Sequence, residues 1–225
     1  MRSIPAVLLF AALSATAQVP ETLFNLVSLS AQAEREIPND LLSATLAAEA
    51  EGTDPAQLAD GVNRSMQRAL ATALSYKSVK TQSGGYQTTP VYDKNRVVRW
   101  RVRQELRLES PDFAAATELI GKLQANLVVS GLTLSVSGET RRKAENALIA
   151  EALAAFDERA RVVREAMKAK GHRVRDLQVS PGGMPPRPAF AMAARGVASE
   201  SVAQPALEPG STRILISVSG TIQLQ

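Results

Sequence analysis

The sequence predicts an α+β fold, a mostly antiparallel sheet with helices packed on one face. Two observations lead there. Segments of period-two hydrophobicity come mostly in adjacent pairs, as the strands of hairpins do, and three stretches of helical periodicity separate them. The first two helical stretches each open on an aspartate that can cap them, next to a proline. The expected order is ββ-α-ββ-α-β-α-ββ, following a signal peptide.

Taken in order, Met1-Arg2-Ser3 supplies a positive charge ahead of an apolar run from Ile4 to Ala15. Ala15-Thr16-Ala17 then reads as a cleavage motif, so residues 1–17 are expected to be removed on export. The run is too short to remain as a membrane span, and no later segment is long and apolar enough. One domain is expected over residues 18–225.

Phe24 to Ala33 reads as a strand with two fairly apolar faces. Ile37-Pro38-Asn39-Asp40 is a turn signal, after which Leu42, Ala44, Leu46, Ala48 and Ala50 alternate as a strand pairing back in a hairpin. Thr53-Asp54-Pro55-Ala56-Gln57 starts a helix, with Asp54 capping and Pro55 in the first turn. Its stripe is Leu58, Val62, Met66, Ala69 and Ala73. Val79 to Gln82 is a short strand broken by Ser83-Gly84-Gly85. From Val98, the residues Val98, Trp100, Val102, Leu106 and Leu108 take one strand face. Arg99, Arg101, Arg103, Glu105, Arg107 and Glu109 take the other, wet face.

Ser110-Pro111-Asp112 opens the second helix, whose stripe is Phe113, Ala116, Leu119, Ile120 and Leu123. Leu127 to Val136 is a strand with Gly131 at a bulge or close contact. The longest helix is expected from about Arg141 to Lys170, with a stripe of Ala144, Leu148, Ala152, Ala155, Val162, Ala166 and Ala169. An Asp157–Arg161 surface pair and Gly171 as the closing residue complete it. Val174, Leu177 and Val179 suggest an irregular strand, residues 181–210 a long loop, and Ile214 to Leu224 a last strand. A helix followed by two strands recurs at about 54–109 and 141–225, a possible internal pseudo-repeat.

Composition narrows the function classes. The chain has no cysteine, so neither disulfides nor thiolate chemistry enter. Aromatic residues are 4%, and a formal charge of +4 is a mild excess. For an exported chain, nucleic acid is not an expected partner. An anionic membrane or polysaccharide surface suits the charge.

No cofactor or metal is expected. One histidine, His172, beside Lys170 and Arg173, reads as a solvated residue at a helix end rather than a catalytic base. It cannot form a zinc cluster by itself, and no calcium loop is visible. Glu51, Asp54 and Asp60 are better read as capping and surface acids. Ser83-Gly84-Gly85 and Pro181-Gly182-Gly183 are turns, since neither leads into a helix bearing Lys and Ser/Thr. The functional candidate is the arginine face, Arg99, Arg101, Arg103 and Arg107, as a contact surface for an anionic component or a subunit interface. Its simpler reading is a solvated strand face paired with acids such as Glu49 or Glu51. Pro185-Pro186-Arg187-Pro188, with Met184 and Met192 nearby, is read as a flexible loop first and a docking segment second.

Several stretches carry a family resemblance. Ile37-Pro38-Asn39-Asp40 stands where that family has a Pro-Asp turn. Asn63 to Met66 lies in its first helix, Val79-Lys80-Thr81 follows as its strand ending in Thr, and Tyr86 and Tyr92 flank its hairpin loop. Leu127 to Leu134 is similar to its glycine-containing strand. Ala144 to Gly171, Val174 to Val179 and Ile214 to Leu224 match its alanine-spaced helix and closing strands. In these the chain resembles the SIMPL-domain family of bacterial periplasmic or outer-membrane-associated proteins. Ser30-Ala31-Gln32-Ala33 departs from the family's glycine pair at the end of the first strand. The resemblance implies an exported, non-enzymatic cell-envelope protein, sometimes linked to oxidative-stress defence, with no catalytic residues to carry over. The expected partner is unknown, either another copy of the chain or an anionic envelope component. The alternative is a periplasmic small-ligand binder or hydrolase with a site assembled from distant residues.

Overall fold

The computed structural model describes residues 24–182 and 208–225. The expected signal peptide, most of the 181–210 loop and the Pro185–Pro188 stretch lie outside the described residues. Ten elements follow the expected order: β1 (Leu26–Pro38), β2 (Leu41–Gly52), α1 (Pro55–Ala73), β3 (Lys80–Asp93), β4 (Arg96–Ser110), α2 (Phe113–Leu123), β5 (Val128–Ser135), α3 (Gly138–Ala166), β6 (His172–Gly182) and β7 (Ser211–Leu224).

The strands form two antiparallel sheets, ordered β1-β7-β6 and β3-β4-β2-β5. The hairpin expected between β1 and β2 is absent, because Asn39 and Asp40 hand the chain from one sheet to the other. The Asn39 N–H donates to the Gly210 carbonyl at 3.1 Å, and the Asp40 N–H to the Ser135 carbonyl at 3.1 Å. Asn39 Nδ2 also donates to the Pro209 carbonyl at 2.7 Å, and Asn39 Oδ1 accepts from Thr212 Oγ1 at 2.6 Å. β1 then pairs with β7 in an unbroken register from Leu26↔Gln223 to Pro38↔Ser211. The stretch Ser30–Ala33 is therefore regular strand.

Residues 41–136 build the first layer as β2-α1-β3-β4-α2-β5. This sequence of elements in the order β3-β4-β2-β5 is a split βαβ unit of the ferredoxin-like kind. Its core is where the period-two and helical stripes meet. Leu42, Leu46, Val102, Leu106 and Leu108 are fully buried against Val62, Met66, Ala69, Leu119 and Ile120. Both helices start where the sequence places them. Asp54 Oδ1 accepts from the Ala56 N–H at 2.9 Å and Asp112 Oδ1 from the Ala115 N–H at 3.0 Å, which satisfies donors a helix start leaves open. Buried Ser110 ties the end of β4 to the loop before β3 by donating to the Ser78 carbonyl at 2.8 Å.

β3 does not stop at Ser83-Gly84-Gly85. It continues through an irregularity there, since its register against β4 shifts between Ser83 and Tyr86. A Cβ on Gly84 would lie 2.8 Å from Glu105 Cβ, so a side chain at this position would force a shift. Tyr86 and Tyr92 consequently lie within β3, and the hairpin turns at Lys94 and Asn95, whose φ angles are 43° and 67°. Two left-handed residues suit the twist of a tight hairpin. On the other side of β2, the register to β5 shifts beside Gly131, as expected.

The second layer combines β1 with α3, β6 and β7, and has its own core of Leu148, Ala152, Phe156, Ala160, Ile216, Val218 and Ile222. α3 begins earlier than expected, capped by Ser137, whose Oγ accepts from the Thr140 N–H at 3.3 Å. Its buried stripe runs Ala144, Leu148, Ala152, Phe156, Ala160. Val162 is half exposed, because a straight stripe of spacing four drifts around the helix. The helix closes at Met167, followed by left-handed Lys168, rather than at Gly171. Arg161 pairs with Glu158 and Glu165, not Asp157.

The recurrence of a helix followed by two strands has a topological counterpart. In β2-α1-β3-β4 and in β1-α3-β6-β7, a strand precedes a helix and a hairpin, and pairs antiparallel with the hairpin's second strand. The first layer adds α2 and β5 beyond this shared plan.

Candidate interaction face

Arg99, Arg101, Arg103 and Arg107 sit at alternate positions of β4, the strand between β3 and β2. Strand alternation puts them on the face opposite Val102, Leu106 and Leu108, as the sequence indicates. The register then decides what each arginine meets. Arg101 lies opposite Glu51, Arg103 opposite Glu49, and Arg107 opposite Thr45. Arg101 Nε donates to Glu51 Oε1 at 2.6 Å and lies 3.2 Å from Glu49. Arg103 donates to Glu49 Oε2 at 2.9 Å and to Ser130 Oγ of β5 at 2.7 Å. Glu105 sits 3.5 Å from Arg103 and 3.9 Å from Arg107. The hydrogen bond from Arg101 to Glu51 pushes the arginine's pKa further up. Three of the four arginines thus belong to a cross-strand ladder of alternating charge. Ser130 is a member the sequence did not reveal, because it reaches Arg103 only through the β2–β5 pairing.

Arg99 differs. β2 ends with Gly52 opposite Trp100, so the β3–β4 hairpin beyond that point runs on as a two-stranded arm without a third strand. Arg99 is opposite Val91, and no acidic partner reaches it among the described residues. Arg96 and Lys94 at the tip are likewise without ion pairs there, although Asp93 is opposite Arg96. One face of the arm is apolar: Tyr92 is 62% exposed and its partner Val97 46%. The arm is therefore amphipathic, with cations on its tip and on the face that continues the arginine ladder.

Two concavities lie along β3, one on the arginine face and one at the end of the strand far from the arm. One, of about 170 Å³, is lined by Gly85, Gln87, Arg103, Glu105 and Arg107. The other is an open, mainly apolar groove of about 560 Å³ between the end of α1 and the start of β3, lined by Leu70, Leu74, Tyr76 and Val79 among others. Thr81 Oγ1 in its wall has no hydrogen-bond partner. Beside it, Glu118 accepts from Tyr76 at 2.7 Å and pairs with Lys122 at 2.8 Å, which lowers the carboxyl's pKa and raises that of Lys122.

His172 is not the solvated residue that its neighbours in sequence suggest. Its side chain is 15% exposed, with Nε2 3.8 Å from Asp157 Oδ1 and Nδ1 buried without a partner. The reason is its place at the start of β6, paired with Leu224 and facing α3, rather than at the end of the helix. Asp54 is occupied in capping and Glu51 in the ladder. Among the described residues, no group of three or more His, Cys, Asp or Glu could hold a metal ion. No described helix is long and apolar enough to cross a membrane.

A family model described as SIMPL, protein of unknown function (DUF541), matches residues 27–222. No curated protein matches significantly. Among solved structures, the de novo designed protein Foldit4 shares 15% identity over 43% of this chain and 98% of its own, with a TM-score of 0.27. A putative amidohydrolase/peptidase from Burkholderia cenocepacia shares 12% over 47% of this chain and 28% of its own, at 0.26. An amidase of the hydantoinase/carbamoylase family from Burkholderia vietnamiensis shares 17% over 47% and 27%, at 0.25. None of these structural likenesses is close enough to carry an argument about fold or function.

Proposed function

Because the chain belongs to the SIMPL family, whose function is unknown, we propose that it is an exported, non-enzymatic interaction protein of the cell envelope that meets an anionic component through the β3–β4 arm. The observation that carries this reading is the arm's three cations without ion pairs, Lys94, Arg96 and Arg99, beside the exposed Tyr92 and Val97. Cations held by nearby acids add little net attraction for an anion, whereas free ones retain it and are screened by salt. Arg101, Arg103 and Arg107 form the base from which the arm projects. Export is supported by the apolar run and Ala15-Thr16-Ala17 motif of the sequence.

Binding of the mature protein to phosphatidylglycerol vesicles, measured by co-sedimentation at low and high salt, tests the reading. Strong binding at low salt, loss at high salt, and loss in a Lys94→Ser, Arg96→Ser, Arg99→Ser variant is the expected result. An Arg101→Ser, Arg103→Ser variant should keep most of the binding and melt slightly lower, because Glu49 and Glu51 lose their partners. Equal loss in both variants would return the contact to the whole arginine face. Binding unaffected by salt or by the arm variant would remove the proposal. The link to oxidative-stress defence, drawn from the family resemblance, is dropped if a deletion strain tolerates peroxide as its parent does.

A further inference from the structure

We propose that β1 is a self-pairing edge, and that two copies of the chain join antiparallel along it into one six-stranded sheet, β6-β7-β1-β1-β7-β6. This goes beyond the anionic partner and uses a different surface, so the two stand or fall separately.

Four strands lie at sheet edges: β1, β6, β3 and β5. Three of them carry a register shift, between Val174 and Asp176 in β6, between Ser83 and Tyr86 in β3, and beside Gly131 in β5. Such irregularities twist an edge away from further pairing, as do prolines and charges. β1 has none of these over its first eight residues. It pairs with β7 without a break over 13 residues, and Leu26–Ala33 contains no charge, proline or glycine. Glu34, Arg35, Glu36 and Pro38 guard only its far end.

The plan shared by the two layers points to the same edge. In the first layer, the strand that precedes the helix is β2, and β5 pairs along its second side. In the second layer the corresponding strand is β1, and no described strand takes its second side. The apolar residues on its α3-facing side show the consequence. Ala31 is fully buried, but Val27, Leu29 and Ala33 are only partly covered.

The occupant is a second copy because the segment complements itself. A two-fold axis through Ser30 sets Leu29 opposite Ala31 and Val27 opposite Ala33 on the apolar face, large against small. On the other face, Ser28 meets Gln32 and Ser30 meets itself. Both faces keep their character across the pair, and the two α3 helices lie on the same side of the joined sheet. One outward acceptor is already visible, since Arg159 reaches from α3 to donate to the Ser30 carbonyl. Pairing replaces that guanidinium with a backbone N–H of the second copy.

The test is the native mass of the mature protein by light scattering after size exclusion, over a range of concentrations. Wild type should reach twice the chain mass. Ser30→Lys and Ser30→Asp each place like charges face to face and should be monomeric, and their equimolar mixture should recover the dimer. Gln178→Lys on β6 should change nothing. Because the chain lacks cysteine, Ser30→Cys gives an independent readout. Residues facing in a hydrogen-bonded antiparallel pair lie about 5.5 Å apart at Cα, within disulfide reach. Mild oxidation should cross-link this variant and leave Gln178→Cys uncross-linked. A wild-type chain that stays monomeric at every concentration overturns the proposal and leaves the edge to a different partner. A dimer that survives Ser30→Lys and does not cross-link through Ser30→Cys also overturns it.

Discussion

Asp40 stands between the layers with its carboxylate turned to the start of α3. It accepts from the Ser137 N–H at 2.5 Å, from Ser137 Oγ at 2.9 Å and from Thr140 Oγ1 at 2.5 Å. Burial alone would raise its pKa, but these hydrogen bonds outweigh burial and hold it below the ordinary carboxylate value. A depressed folded pKa stabilises the fold above the unfolded value of about 3.9, and that stabilisation is lost as pH falls through the folded pKa. Asp40→Asn should therefore lower stability at neutral pH by about 1 kcal/mol, the scale of a hydrogen bond at a partly exposed site. The difference from wild type in urea unfolding should shrink as pH drops through the carboxylate range. A gap that persists unchanged into acid would mean the carboxylate charge is not what matters. The sequence does mark Pro38-Asn39-Asp40 as a break between strands. It does not say which strands meet there, because Ser137 and Gly210 are brought to the turn only by the fold.

At the scale of elements, local grammar was legible where a rule acts within a few residues. Asp54 and Asp112 cap as their spacing indicates, and β4 shows its two faces through strict alternation. What escaped is set by partners distant in the chain: β3 running through Gly84 and Gly85, the stripe of α3 shifting to Phe156 and Ala160, and the burial of His172. The arginine face was legible as residues, but its division into a neutralised ladder and a free arm depends on where β2 ends. Glycines sharpen the same lesson. A Cβ on Gly220 would lie 2.4 Å from the Asp176 carbonyl, just where β6 is irregular. Gly220→Ala should lower stability by about 1–3 kcal/mol, the usual range for forcing atoms into a packed site. Gly61 in α1 meets nothing within 4 Å, so Gly61→Ala should raise stability by about 0.4–1 kcal/mol through helix propensity and chain entropy. Paired thermal melts check both signs, and a neutral Gly220→Ala would show that β6 can move aside.

The described residues form two cores, and the chain crosses between them at Asn39 and Asp40. The Asp40 N–H bonds to the Ser135 carbonyl, so the chain enters and leaves the first layer at adjacent points. That is the geometry of one unit inserted into another: residues 41–136 form a complete βαββαβ layer, while β1 must wait for α3, β6 and β7 to find its sheet. The number of sheets was hidden from the sequence for the same reason, since a hairpin between β1 and β2 satisfies every local rule that the actual β1–β7 pairing does. If the insertion is real, residues 39–137 expressed alone should fold. Their core needs no side chain from the second layer: the cluster around Leu42, Leu46, Val102, Leu106 and Leu108 draws all its members from residues 42–134, including Tyr76, Val79 and Leu127 of the connecting loops. The fragment should give a cooperative thermal transition and the circular dichroism of mixed helix and strand. The intact protein should then show two transitions, or one broadened by imperfect coupling through Asn39 and Asp40. Asp40→Asn should separate the two further by weakening the contact with α3. An unfolded fragment, in a protein that melts in a single sharp step, would mean that the junction carries stability that neither core holds alone.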